Sequence, residues 1–156
     1  MKNSAYYGRI DMIKWFRLMR WLYYHKLKFL ANFIRKVIRL YYSCDIYPTC
    51  QIGNGTTFYH QGLGCVFHER VVIDKDCKIY QNVTFGGNGK ENQLYPGAPH
   101  ICEGATIYAG ACILGPIRVG KNAIVGANAV VLKDIPDNCV AVGVPAVIRE
   151  KSSDVL

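Results

Sequence analysis

Six large apolar residues, Ile101, Ile107, Ile113, Val119, Val125 and Val131, recur at a spacing of six. Two positions before each of the last five stands Ala105, Ala111, Ile117, Ala123 or Ala129. The beat runs upstream through Ile46, Ile52 and Phe58 and, after a jump of nine, through Phe67, Ile73, Ile79 and Phe85. Cys50, Thr56, Val71, Cys77 and Val83 hold the companion position there. A helix repeats every 3.6 residues or so and a strand every two, so a period of six is an internal repeat. It suits a coil of three short flat strands joined by tight corners, with the large side chain filling a prism and the small one beside it. Each coil buries little alone, so stacked coils share one core. Gly and Asn at the expected corners, such as Gly104, Gly110, Asn122 and Asn128, accept the left-handed backbone that a corner demands. A β-sandwich would instead need strands of about five or six residues with period-two alternation. The pattern predicts an all-β parallel β-helix.

Upstream of the repeat the pattern changes. Arg9 through Tyr47 contains no Gly or Pro and is dense in Trp, Phe, Leu, Ile and Tyr, which predicts one or two helices. The chain thus divides into a short helical segment at 1–43, a repeat domain at 44–149 with an excursion at 86–100, and a tail at 150–156.

Charge follows the same division. The net +8 belongs to residues 1–42, which carry ten Lys or Arg against Asp11 alone, whereas the remaining 114 residues sum to −1. On a helical wheel Lys14, Arg17, Arg20, Lys28, Arg35, Lys36 and Arg39 fall within about 160° of arc. No stretch reaches the roughly 20 apolar residues that span a bilayer. A basic, aromatic-rich amphipathic helix lies flat on an anionic leaflet; it can equally cap the open end of a β-helix or pack on a sister subunit. Both readings stay open. Nucleic acid is not the expected partner, because the aromatics follow helix periodicity and form no strand platform.

Seven cysteines, an odd number with no C-x-x-C pair, point to reduced thiols in a cytoplasmic protein. The four histidines, His25, His60, His68 and His100, have no metal-pair spacing, so no metal is expected. His60 stands out because Asp45 precedes it by fifteen, which in a coil of about eighteen residues puts the two near one corner on adjacent coils. A carboxylate on one ring nitrogen fixes the tautomer and leaves the other as a general base for a hydroxyl. From spacing alone, surface decoration is the alternative for His60. The excursion, Gly86 to His100, interrupts the beat once and is where a rigid scaffold builds a site.

The ordered stretches Asp45-Ile46-Tyr47-Pro48 to Tyr59-His60, Tyr80-Gln81-Asn82-Val83-Thr84-Phe85-Gly86-Gly87-Asn88-Gly89-Lys90, Ile107 to Gly115, and Val142-Gly143-Val144-Pro145-Ala146 resemble the serine acetyltransferase branch of the hexapeptide acyltransferases. The resemblance covers residues 44 to 149. It implies a left-handed β-helix, a homotrimer, and acetyl-CoA as co-substrate in a groove between subunits. It also implies His60 as catalytic base with Asp45 as its support, and Gly87, Ala109, Ala127 and Lys133 as cofactor-binding residues.

The chain departs from that branch at two places. The loop's end reads Gly97-Ala98-Pro99-His100 where the branch carries Arg-His-Pro-Lys, and Tyr59 stands where the branch has an acidic residue. A zwitterionic amino acid needs counter-charges for both its groups, so the departures shift the expected acceptor to a sugar hydroxyl. With its short basic leader the chain is similar in layout to the O-acetyltransferases of surface polysaccharide biosynthesis. Tyr59, Tyr95 and His100 are then the expected substrate-binding residues, at the inner face of a bacterial plasma membrane. The alternatives are a serine O-acetyltransferase and a non-catalytic membrane-associated scaffold.

Overall fold

The computed structural model describes residues 11–87 and 97–151. Its body is a left-handed parallel β-helix whose three faces are sheets of very short strands. In the first sheet Ile52, Ile73, Ile101 and Val119 are in register; in the second Phe58, Ile79, Ile107, Val125 and Ala141; in the third Phe67, Phe85, Ile113 and Val131. All but Ala141 are residues of the six-beat, so each turn of the coil brings one large side chain from each face into the prism. Nearly all are fully buried, as are the companion residues Cys50, Val71, Cys77, Val83, Ala105, Ala111, Ala123 and Ala129. Small companions let three flat strands close on a core of this width.

The corners show why Asn and Gly alternate. Gly104 and Gly110 have φ of +72°, and a Cβ there would sit 2.3 Å from Asn122 Oδ1 and 2.1 Å from Asn128 Oδ1 respectively. Asn122 and Asn128 are themselves left-handed. Corners therefore stack glycine on asparagine from one coil to the next. At the far end the strand Val147–Glu150 turns back antiparallel on Cys139–Val142 and closes the second sheet.

At the near end two helices, α1 (Met12–Tyr24) and α2 (Lys28–Tyr42), form a hairpin over the open prism. Asp11 caps α1 by accepting from the Ile13 amide. Met12, Phe16, Met19 and Leu22 of α1 and Ala31, Ile34, Ile38 and Tyr42 of α2 join Ile46 and Phe58 in the single core. The leader is a cap.

Candidate active site

The nine-residue jump between Phe58 and Phe67 is the corner that carries His60. The extra length is taken up by a tight turn, Tyr59–Gly62, in which His60 (φ 52°, ψ 32°) and Gln61 (φ 58°, ψ 26°) both take the left-handed conformation. Two consecutive non-glycine residues there cost about 1–2 kcal/mol each, and such strain persists only where the surroundings impose it. The surroundings are visible: Gln61 Oε1 accepts from the Met12 amide at 3.0 Å, and Gly62 lies against Met12 and Cys44. The helical cap thus holds the turn, and the His60 side chain is left exposed to solvent.

Spacing predicts that Asp45 meets His60; within one chain the structure does not bring them together. Asp45 bridges to Val66 at the top of the third sheet, and its Oδ1 accepts from Arg35 Nη2 of α2 at 2.8 Å, with Arg39 Nη1 3.6 Å from Oδ2. The Arg35 guanidinium lies 3.6 Å from the centre of the Tyr47 ring. Burial works against that charge, yet hydrogen bonds to Asp45 and Tyr47 hold the Arg35 pKa above its ordinary value. Among the described residues the His60 imidazole has no hydrogen-bond or ion-pair partner. A groove of about 320 Å³ instead groups Asp45 with His68, Glu69 and Gly87.

The other predicted residues fall on two edges of the prism. Ala109 and Ala127 follow Ile107 and Val125 and line the same edge as His60, between the second and third sheets. Gly87 and Lys133 follow the third sheet and line its other edge, where the excursion begins. A Cβ on Gly87 would come within 2.8 Å of Gly97 O and 2.9 Å of His68, so the two ends of the excursion meet there. His100 lies at the loop's return in the first sheet, its Nε2 3.1 Å from Asp74 Oδ1. Tyr95 lies outside the described residues.

Tyr59 is not a lone aromatic. It stacks on Tyr80 (centroids 4.4 Å apart, planes 9°), which stacks on Tyr108 (4.9 Å, 29°), making a ladder down the His60 edge. Sequence reasoning singled out Tyr59 but missed its partners, although all three follow a beat residue directly. Gln81 was missed as well. It lies on the same edge between Tyr80 and the buried Val83, and its Oε1 is buried without a hydrogen-bond partner among the described residues.

Burial bears on two further side-chain groups. Cys65, a conceivable nucleophile, is fully buried, donates to Tyr80 O at 3.3 Å, and has its pKa pushed up to about 11 by desolvation. Asp74, His100 and Cys102 place their ligand atoms within 4.8 Å of one another, a grouping that histidine spacing did not predict. His100 Nε2 lies 3.1 Å from Asp74 Oδ1, and Cys102 is 4% exposed with its thiol pKa raised by burial.

Comparison with known proteins bears on what the edge does. The family described as bacterial transferase hexapeptide (six repeats) matches residues 98–133. A serine acetyltransferase of Haemophilus influenzae is 43% identical over 134 residues, which is 86% of this chain and 49% of that protein. A serine acetyltransferase solved in complex with CoA superposes with a TM-score of 0.79 at 40% identity, covering 88% of this chain and 55% of the other. The serine acetyltransferase of Neisseria gonorrhoeae solved in complex with serine gives 0.80 at 34% identity, again over 88% and 55%. The chain spans about half the length of the curated relatives it matches.

These relatives overturn the sugar acceptor and the surface-polysaccharide role expected from the sequence. That expectation took the changes at position 59 and at 97–100 for the loss of every counter-charge an amino acid needs. At the loop's return His100 Nε2 lies 3.1 Å from Asp74 Oδ1 of the neighbouring coil, so polar side chains are still present there.

Proposed function

We infer, from a chain that belongs to the bacterial hexapeptide-repeat transferases and to their serine acetyltransferase-like branch, an acetyl-CoA-dependent O-acetyltransferase whose acceptor is serine. The observation that carries this reading is the continuity of the match with serine acetyltransferases through the strained His60 corner and the small-residue edge below it.

In this reading the exposed imidazole of His60 takes the proton from the serine hydroxyl as its oxygen attacks the acetyl carbonyl. The carbon–sulfur bond breaks, and the CoA thiolate leaves with the proton that His60 returns. A base must reach its substrate, and the left-handed turn stands His60 off the prism, away from the backbone that would crowd it. The orphaned Gln81 Oε1, on the same edge, suits an N–H of the bound donor or the ammonium of the acceptor. Asp45 has two oxygens and about four acceptor sites, so Arg35 and Arg39 leave it capacity for one further donor.

The split between Ala109 and Ala127 on one edge and Gly87 and Lys133 on the other supports a homotrimer. The third sheet separates the two sets in a single chain, so one extended thioester meets both only where the His60 edge of one protomer faces the loop edge of its neighbour.

The test is serine-dependent thiol release from acetyl-CoA, comparing the wild-type protein with His60→Asn. Asparagine tolerates the left-handed backbone, so the fold should survive while kcat falls by about 100-fold or more. No release with serine from the wild-type protein would remove the acceptor. An undiminished rate in the variant would remove His60 as base.

A further inference from the structure

The helical hairpin buries one apolar face and leaves a second one bare. On α2, Ala31, Ile34, Ile38 and Tyr42 pack inward. On the opposite side Phe29, Phe33 and Leu40 are 84%, 60% and 87% exposed. They fall at i, i+4 and i+11, with Lys36 at i+7, so the four residues run in one line along the helix. On α1 the outward side carries Leu18, Trp21 and Tyr24, all exposed, interleaved with Lys14 and Arg17. Among the described residues, none packs on this second face to bury it.

Its charge is one-sided. Between Asp11 and Asp45 the chain has eight Lys or Arg and no carboxylate. Arg35 is committed to Asp45, and Arg20 to the carbonyls of Pro48 and Cys50. Among the described residues, Lys14, Lys26, Lys28 and Lys36 form no ion pair. A groove of about 500 Å³ sets Arg35, Lys36 and Arg39 against the rings of Phe29 and Phe33. Cations beside bare phenyl rings are what a phospholipid headgroup and the first carbons of its chains require.

We propose that α1 and α2 lie in the plane of an anionic lipid surface, with Phe29, Phe33 and Leu40 in the interfacial region and the cations at the headgroup phosphates. Among the described residues no helix is long and apolar enough to cross a membrane, so the contact is in-plane. A second copy of the chain fits the face poorly, because a symmetric contact would set like charges such as Lys28 and Lys36 against their copies, with no carboxylate between Asp11 and Asp45 to answer them. Nucleic acid would answer the charge, but it has no use for the aliphatic Leu40 in line with the two phenyl rings. The surface is independent of the acceptor and of the chemistry at His60.

The experiment is co-sedimentation of the full chain with vesicles of phosphatidylcholine alone and of phosphatidylcholine mixed with phosphatidylglycerol. Binding is expected to the anionic vesicles only, falling as salt is raised. Lys28→Glu and Lys36→Glu should each weaken it by about fivefold or more, and the triple change Phe29→Ser, Phe33→Ser, Leu40→Ser by at least about tenfold. Far-UV circular dichroism should not move, since these side chains are exposed. Equal sedimentation of the triple variant and the wild-type protein overturns the proposal, as does the absence of binding to anionic vesicles. A triple variant that changes the oligomeric state but not vesicle binding assigns the face to a second copy. Capture by single-stranded or duplex DNA without vesicle binding assigns it to nucleic acid. Either outcome sinks the lipid surface.

Discussion

The guanidinium of Arg35 and the carboxylate of Asp45 meet at 2.8 Å with their side chains only 25% and 22% exposed, which ties the helical cap to the first residue of the β-helix ladder. Both groups are largely out of water, so removing one leaves the other poorly answered. Arg35→Gln should cost about 1–3 kcal/mol in urea denaturation. In a double-mutant cycle with Asp45→Asn the coupling should reach about 1 kcal/mol. A coupling near zero would mean that the contact contributes nothing, and that α2 is held by Ala31, Ile34 and Ile38 alone.

Gly87 is where the excursion's two ends close on each other. A methyl group there meets the backbone carbonyl of Gly97 at 2.8 Å and the His68 ring at 2.9 Å. A carbonyl in a packed loop cannot step aside as a flexible side chain does, so Gly87→Ala should cost about 1–3 kcal/mol of loop docking. The expected signature is a raised KM for acetyl-CoA with the global unfolding midpoint little changed. Adding His68→Ala should not restore the KM, because the obstacle is backbone. Full rescue by that second change would place the clash at the ring instead.

How much of this was legible from the residues alone differs between core and site. The six-beat carried the prism outright, because burial at one position per face repeats faithfully and a corner of fixed length preserves the count. The jump of nine falls at the His60 corner, yet His60 was singled out by its spacing from Asp45 and not by that jump. The partner of Asp45 was not legible. Spacing within the repeat points to His60, whereas the groups that take the carboxylate come from α2, whose docking depends on packing that no period encodes. The tyrosine ladder was half legible, since its members share a register but are separated by 21 and 28 residues. Gln81 gave no signal, because an unpaired buried oxygen exists only once its surroundings do.

That ladder should behave as a unit. Tyr80 is sandwiched between Tyr59 and Tyr108, and burial raises the pKa of its hydroxyl. Tyr80→Ala removes two stacking contacts and should destabilise by about 1–3 kcal/mol, more than Tyr108→Ala, which removes one. Because Tyr59 is also the residue before His60, Tyr80→Ala should lower kcat as well as stability, while Tyr108→Ala should leave kcat within a few-fold. Equal stability losses from the two changes would mean that the rings are merely adjacent.

The buried thiols predict an alkaline limit to the fold. Desolvation pushes Cys50, Cys65 and Cys77 from 9.0 up to about 11. Each folded thiol then keeps its proton at a pH where the unfolded chain has lost it, so the unfolded state binds fewer protons and stability falls as pH rises. Below about 9 the three groups contribute their full effect, and between about 9 and about 11 that contribution drains away. The loss approaches about 3 kcal/mol per thiol, so three together are comparable with the whole stability of an ordinary domain. Far-UV circular dichroism across this range should show a cooperative transition. Cys77→Ala, which removes a group that must ionise on unfolding, should move its midpoint to higher pH. A midpoint that does not move would place the alkaline failure elsewhere in the molecule.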